Sequence, residues 1–214
     1  FGRNEFGVRI GSACLTIGTC LLTWWIGRLL AGPFAGLLSG LVMSTCIWTA
    51  VGGRAATPDA TLVFCTTLAA SIYVHAIQRN TRLRITRMHA IGIGLACGFA
   101  ILAKGPIGIL IPMVAFLLTT SILHKNNDLA YAEHWTPFAV RFLRPFTILL
   151  TATAVALPWH VLVGVRTDGK WLQDFLLIHN AGRFVAPMEG HSGSFLFYPV
   201  ILAIGLFPWS IVSL

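Results

Sequence analysis

The sequence predicts an all-α fold: a polytopic transmembrane helical bundle with an interfacial helix in an outer loop. Three observations predict it. Hydrophobic residues make up 56% of the chain and charged residues only 10%, with a mean hydropathy of +0.79, far from the quarter-charged composition of soluble domains. The apolar residues fall in repeated runs of bilayer-spanning length, and a backbone in lipid must satisfy its own hydrogen bonds, which makes each run a helix. The third is a polar interruption, Arg166 to Ser194, which gathers Lys170, Asp174, His179, Arg183, Glu189 and His191 between two apolar stretches.

In order, the runs predict about seven spans: Ile10 to Leu30, Pro33 to Ala50, Pro58 to Ile77, Ala90 to Ala103, Pro106 to Leu123, Pro145 to Val165 and Phe195 to Leu214. The fourth is short for a bilayer, so it is tilted into a thin region or its ends reach past the apolar run. All of residues 1–214 read as part of one membrane domain. Basic residues set the orientation: Arg28, the group Arg79, Arg82, Arg84 and Arg87, and the group Lys125, Arg141 and Arg144 occupy connections that alternation places on one side. The positive-inside rule makes that side cytoplasmic. The acids Glu5, Asp59, Asp168, Asp174 and Glu189 then lie outside, with Asp128 and Glu133 inside. Arg3, Arg9, Arg54, Lys104, Lys170 and Arg183 are outer cations, so the charge asymmetry is modest.

Several functions are excluded or disfavoured. The net charge of +8 is not a nucleic-acid signature, since no basic patch with stacking aromatics stands on a soluble fold; anionic membrane lipid is the expected counter-charge. Cys14, Cys20, Cys46, Cys65 and Cys97 all fall in apolar runs without a CxxC pair, which predicts small core residues rather than disulfides or metal ligands. Gly36 with Gly40, and Gly94 with Gly98, have the GxxxG spacing that lets helices approach closely. Trp48 and Trp171 read as interface anchors.

The residues suited to chemistry sit at the outer ends. Asp59 follows Pro58 at the mouth of the third span, five residues after Arg54. A carboxylate entering a bilayer implies a partner or a function, although an acid beside a helix-starting proline is also favoured by the helix dipole. Lys104 occupies a tight turn with Gly105 and Pro106, as a cavity cation or as a lysine snorkelling to the interface. In the outer loop Trp171, Leu172, Phe175, Leu176 and Ile178 recur at helical spacing, as in a helix lying in the interface. His179 and Arg183, four apart, share a face of such a helix, where the arginine fork suits phosphate oxygens. His179, His191, Glu189 and Asp174 are ligand types for a divalent metal ion, but their spacing alone does not specify one. No P-loop or Rossmann glycine pattern is present.

The order of these motifs resembles the C-type integral-membrane glycosyltransferases, in particular the bacterial aminoarabinose transferase and protein O-mannosyltransferase-like group. The resemblance runs through Phe1-Gly2 and Asn4 to Arg9, Arg54 with Pro58-Asp59-Ala60, Lys104-Gly105-Pro106, Leu157-Pro158-Trp159, His179-Asn180 with Arg183-Phe184, His191 with Phe197-Tyr198-Pro199, and Pro208-Trp209. It implies transfer of a sugar from a polyprenyl-phosphate donor to a lipid A, protein or glycan acceptor at the outer face of the bacterial cytoplasmic membrane. By the same resemblance Arg183 holds the carrier phosphate, with Lys104 as a second cation. Asp59 is the outer acid that shapes the cavity and not the catalytic base; His179 and His191 lie at its rim, near a divalent ion in some members. The family's catalytic acid belongs to a first outer loop that would precede Phe1, so the sequence is expected to be an excerpt, inactive alone. The alternative is a lipid-linked-sugar transporter or flippase, which would use the same cations without making a bond and would show inverted repeats and broken helices. A scaffold subunit is a third reading, in which the loop residues carry nothing but topology.

Overall fold

A computed structural model describes residues 4–79, 85–125, 134–175 and 197–211. Ten helices appear among them, labelled in chain order: α1 Glu5–Ala31, α2 Pro33–Thr45, α3 Ile47–Arg54, α4 Asp59–Arg79, α5 Arg87–Lys104, α6 Ile107–Lys125, α7 Trp135–Leu143, α8 Pro145–Arg166, α9 Lys170–Gln173 and α10 Phe197–Gly205. Five of them, α1, α4, α5, α6 and α8, are long and apolar enough to cross a membrane, and α2 with α3 forms a sixth, broken crossing. The all-α membrane bundle is therefore as expected. α5 reaches beyond the apolar run at both ends, from Arg87 to Lys104, which resolves the apparent shortness of the fourth span.

α4 and α5 form the centre. α4 packs on α1, α5 and α6, while α5 packs on α4, α6 and α8. Lipid tails are as apolar as leucine, so close contact must come from shape and from small residues. The α5–α8 seam meets that demand with Gly94 and Gly98. A Cβ on Gly98 would lie 2.6 Å from the Val155 Cβ and 3.0 Å from the Ala152 carbonyl, and one on Gly94 would meet Thr151 and the Ile148 carbonyl. Gly36 and Gly40 do the same for α2 against α1, where Trp24 and Arg28 leave no room for a Cβ. Both GxxxG pairs thus sit at helix contacts. Inside the bundle Tyr73 bonds the Thr120 hydroxyl at 2.9 Å and stacks on Phe116, whereas the buried His75 Nδ1 has no hydrogen-bond partner among the described residues.

Three features depart from the expected spans. The second span is not one helix: it breaks at Cys46, whose backbone is extended (φ −72°, ψ 146°), and α2 and α3 meet at 59°. The freed Ile47 amide donates to the Phe207 carbonyl at 3.1 Å, and the Trp209 indole donates to the Thr45 hydroxyl at 2.7 Å. The last span is likewise interrupted. It is a nine-residue helix, α10, followed by a turn through Pro208 that delivers Phe207 and Trp209 to the break. The third departure is α7, an amphipathic helix in the inner connection that buries Phe138, Phe142 and Leu143. Its end is clamped to the α4–α5 connection: the Ile85 amide donates to the Phe142 carbonyl, and Arg144 Nε donates to the Ile85 carbonyl, each at 3.0 Å.

All five cysteines are free thiols. Cys46, Cys65 and Cys97 are buried as expected, whereas Cys14 is exposed on the lipid-facing side of α1.

Candidate functional site

Helix polarity assembles the charged part of the site. Asp59 opens α4, where a helix N-terminus favours an anion, and Lys104 closes α5, where a C-terminus favours a cation. α4 and α5 are packed neighbours of opposite direction, so these two ends lie side by side at the end of the bundle that the charge pattern predicts to be outer. Lys104 Nζ donates to Asp59 Oδ1. In this geometry Asp59 is a helix-start acid that also has a specific partner. The turn that carries Lys104 depends on Gly105, whose φ of +78° favours glycine, and on Pro106, which opens the way into α6.

The pair is half open to its surroundings, with side-chain exposures of 39% for Lys104 and 52% for Asp59. An ion pair this exposed contributes about 1 kcal/mol or less to stability. Among the described residues, one carboxylate oxygen and two ammonium donors have no further partner. Arg54 is exposed at the C-terminus of α3, five residues before Asp59, and forms no ion pair among the described residues.

Beneath Asp59 a shallow recess runs to the α2–α3 break. It is lined by Thr16 and Thr19 of α1, Met43 of α2, Trp48, Thr49 and Gly52 of α3, and Asp59, Ala60 and Val63 of α4. Trp48, expected to be an interface anchor, sits two residues past the break at Cys46 and is exposed; it also lines this recess and packs on Gly205 of α10. The hydroxyl and glycine liners were not singled out from sequence, because what brings them together is the bend at Cys46. The other outer element is α9, a single turn expected as the start of a longer interfacial helix. Trp171 stacks on Phe175 with ring centroids 4.7 Å apart, and His160 of α8 lies within 6 Å of both rings while its Nδ1 hydrogen bonds the Ala156 carbonyl at 2.8 Å. This aromatic group pins the first turn of the outer loop to α8.

Arg183, His179, His191 and Glu189 lie outside the described residues. Among the described residues no three His, Cys, Asp or Glu side chains come together as a metal site. Of the sequence-named candidates, the structure therefore joins Asp59 with Lys104 and places Arg54 on the same outer connection.

The described ion pairs, Lys104 with Asp59 and Arg9 with Glu5, both stand at the end of the membrane bundle that the charge pattern predicts to be outer. The chain belongs to the dolichyl-phosphate-mannose-protein mannosyltransferase family, which it matches over residues 1–136. It is similar to an undecaprenyl phosphate-alpha-4-amino-4-deoxy-L-arabinose arabinosyl transferase of Edwardsiella ictaluri, 28% identical over 211 residues, covering 98% of this chain and 36% of that protein. The protein of the same description from Erwinia tasmaniensis is 27% identical over 210 residues, 98% of this chain and 35% of the relative. An uncharacterized protein of Aquifex aeolicus is 28% identical over 205 residues, with 95% and 42% covered. The chain thus spans about a third of the length of the transferases it matches. No solved structure matches it. Its membrane-embedded fold is related to polyprenyl-phosphate sugar transferases, and it is a multi-pass protein of the bacterial inner membrane.

Proposed function

We propose that the whole protein transfers a sugar from a polyprenyl-phosphate donor to a hydroxyl-bearing acceptor, whether lipid A, a protein or a glycan, at the outer face of the membrane. The observation that carries this reading is the Asp59–Lys104 pair, a half-exposed cation held in place by a carboxylate at the outer end of the bundle, in a chain of this family. The leaving group is a lipid phosphate whose negative charge grows as the glycosidic bond breaks. A fixed ammonium at that point interacts more strongly with the transition state than with the ground state. Asp59 acts on Lys104 by fixing the direction of its Nζ, which removes the cost of ordering a long side chain during the reaction. Arg183, with its planar donors, supplies the second phosphate contact, Arg54 adds to the positive field at the mouth, and His179 and His191 line the rim. The acceptor proton goes to a carboxylate of the outer loop that, by family resemblance, precedes this sequence. Where members of the family use a divalent ion, His179, His191 and Glu189 are the candidate ligands.

The test is made in the full-length protein with defined polyprenyl-phosphate sugars. Lys104→Gln and Arg183→Ala should each lower transfer by about 100-fold or more, with normal folding. Unchanged transfer in both overturns the site assignment. The broken α2–α3 crossing favours one other reading, a lipid-linked-sugar transporter, because transporters place broken helices at their substrate sites. Carrier flipping by the wild type without any transfer would establish that reading in place of the enzyme.

A further inference from the structure

The recess at the α2–α3 break is walled mainly by apolar atoms, with Met43, Ala60 and Val63 in its lining, but threonine hydroxyls and the Asp59 carboxylate stand among them, and the proposed function uses only its rim. Its hydroxyls are not equivalent. Thr19 is buried and donates to the Leu15 carbonyl at 2.9 Å, and the buried Thr49 shares a hydrogen bond with Cys46 Sγ at 2.9 Å. Thr16, in contrast, makes no hydrogen bond among the described residues and is only partly covered. With its donor committed, the Thr19 oxygen can still accept, as can the Asp59 oxygen that Lys104 leaves free. The recess therefore presents several acceptors and one unspent hydroxyl beside the flat indole of Trp48. Convergent polar groups next to an aromatic wall are what a small polar ligand requires.

Resting on the transferase reading, we infer that this recess receives the sugar ring of the lipid-linked donor: its hydroxyls bond Thr16, Thr19 and Asp59, and its apolar face lies against Trp48. Asp59 then joins two functions, because it holds Lys104 against the phosphate with one oxygen and meets the sugar with the other. Trp48, Thr16 and Thr19 become specificity-determining residues. The bend at Cys46 is what swings α3 away from α1 far enough to leave the space.

Gly52 gives the sharpest test. A Cβ there would meet nothing within 4 Å and its φ is unstrained, so Gly52→Leu fills the recess without displacing a neighbour and raises helix propensity. The experiment uses the full-length protein in lipid nanodiscs. It compares affinity for bare polyprenyl phosphate with affinity for polyprenyl-phosphate mannose and for polyprenyl-phosphate 4-amino-4-deoxyarabinose, in the wild type, Gly52→Leu and Thr16→Val. Expected is a loss of about tenfold or more for the sugar-bearing donor that the wild type prefers, with affinity for the bare phosphate unchanged and melting temperatures kept. Equal losses for bare and sugar-bearing carrier, or no loss for either, overturn the inference while the transferase reading stands on the wild type's own transfer activity. A variant that melts early gives way to Thr16→Val, which keeps the side-chain shape. A wild type that binds no polyprenyl phosphate in any form overturns both.

Discussion

The α5–α8 seam and the α1–α3 seam are built from the same materials and come out differently. Each brings a glycine-containing helix against a neighbour that carries threonines. On α8, Thr151 spends its hydroxyl on the Thr147 carbonyl at 2.7 Å, and Gly94 and Gly98 then sit directly on the α8 backbone. The seam is closed. On the other side Gly53 of α3 packs on Thr16, but Gly52 faces open space and the Thr16 hydroxyl is unspent. The break at Cys46 makes the difference. A straight helix keeps its glycines in one stripe against one partner, whereas a bend of 59° turns the second half of the stripe away and leaves a recess where the contact would have been.

Equivalent substitutions on the two seams test that contrast most strongly. Gly98→Leu must displace Val155 or push on the Ala152 carbonyl, and overpacking of this kind costs about 3 kcal/mol or more where backbone is the obstacle. Gly52→Leu should cost nothing measurable. Thermal unfolding of the two variants in the same detergent checks this, and equal melting temperatures would mean that the two seams do not differ as described.

Arg144→Met comes next, because the fold also has a clamp on its inner side. The Ile85 carbonyl, on a fully buried residue, would lose its bond from Arg144 Nε. Leaving a buried acceptor unmet costs about 1–3 kcal/mol. Hydrogen exchange at the Ile85 amide, which is bonded to Phe142, should accelerate in this variant while the amides of the α1–α3 side keep wild-type rates. Trp209→Phe acts on the outer brace. It removes the 2.7 Å bond to Thr45, which is exposed, so the expected loss is smaller, about 0.5 kcal/mol, and should appear as faster exchange at Ile47 with little change in melting temperature.

The asymmetry between these regions also decides what could be read from the sequence. The crossings α1, α4, α5, α6 and α8 were legible because each is a run of apolar residues about as long as a bilayer is thick, and this periodicity is local. Gly94 and Gly98 were legible for the same reason, since four-residue spacing marks one helix face. The bend at Cys46 was not, because the partners that make it tolerable, Phe207 and Trp209, lie more than 150 residues away and nothing in the local run signals them. α7 escaped notice because nine residues containing Pro137 and Arg141 are too short and too mixed to stand out against hydrophobic spans. In the site, Asp59 and Lys104 were each picked out by the cost of placing charge at a membrane, but their pairing across 45 residues follows from α4 and α5 being antiparallel neighbours, which is a property of packing.

The stability effect expected of the Asp59–Lys104 pair is also small, and that is its diagnostic value. Asp59→Asn, Lys104→Gln and the double variant form a cycle whose coupling energy for unfolding should be under about 1 kcal/mol, since both side chains are partly solvated and salt screens them. If the pair serves catalysis, the same cycle read on sugar transfer in the full-length protein must behave differently. Lys104→Gln removes the cation itself, while Asp59→Asn removes its tether and one sugar contact, so the double variant should lose less than the two single losses multiplied together, because a tether without a cation has nothing to hold. Such non-additivity in activity beside near-additivity in stability separates a functional ion pair from one that merely satisfies two helix ends. A coupling of several kcal/mol in unfolding, with additive effects on transfer, would assign Asp59 and Lys104 to the fold instead.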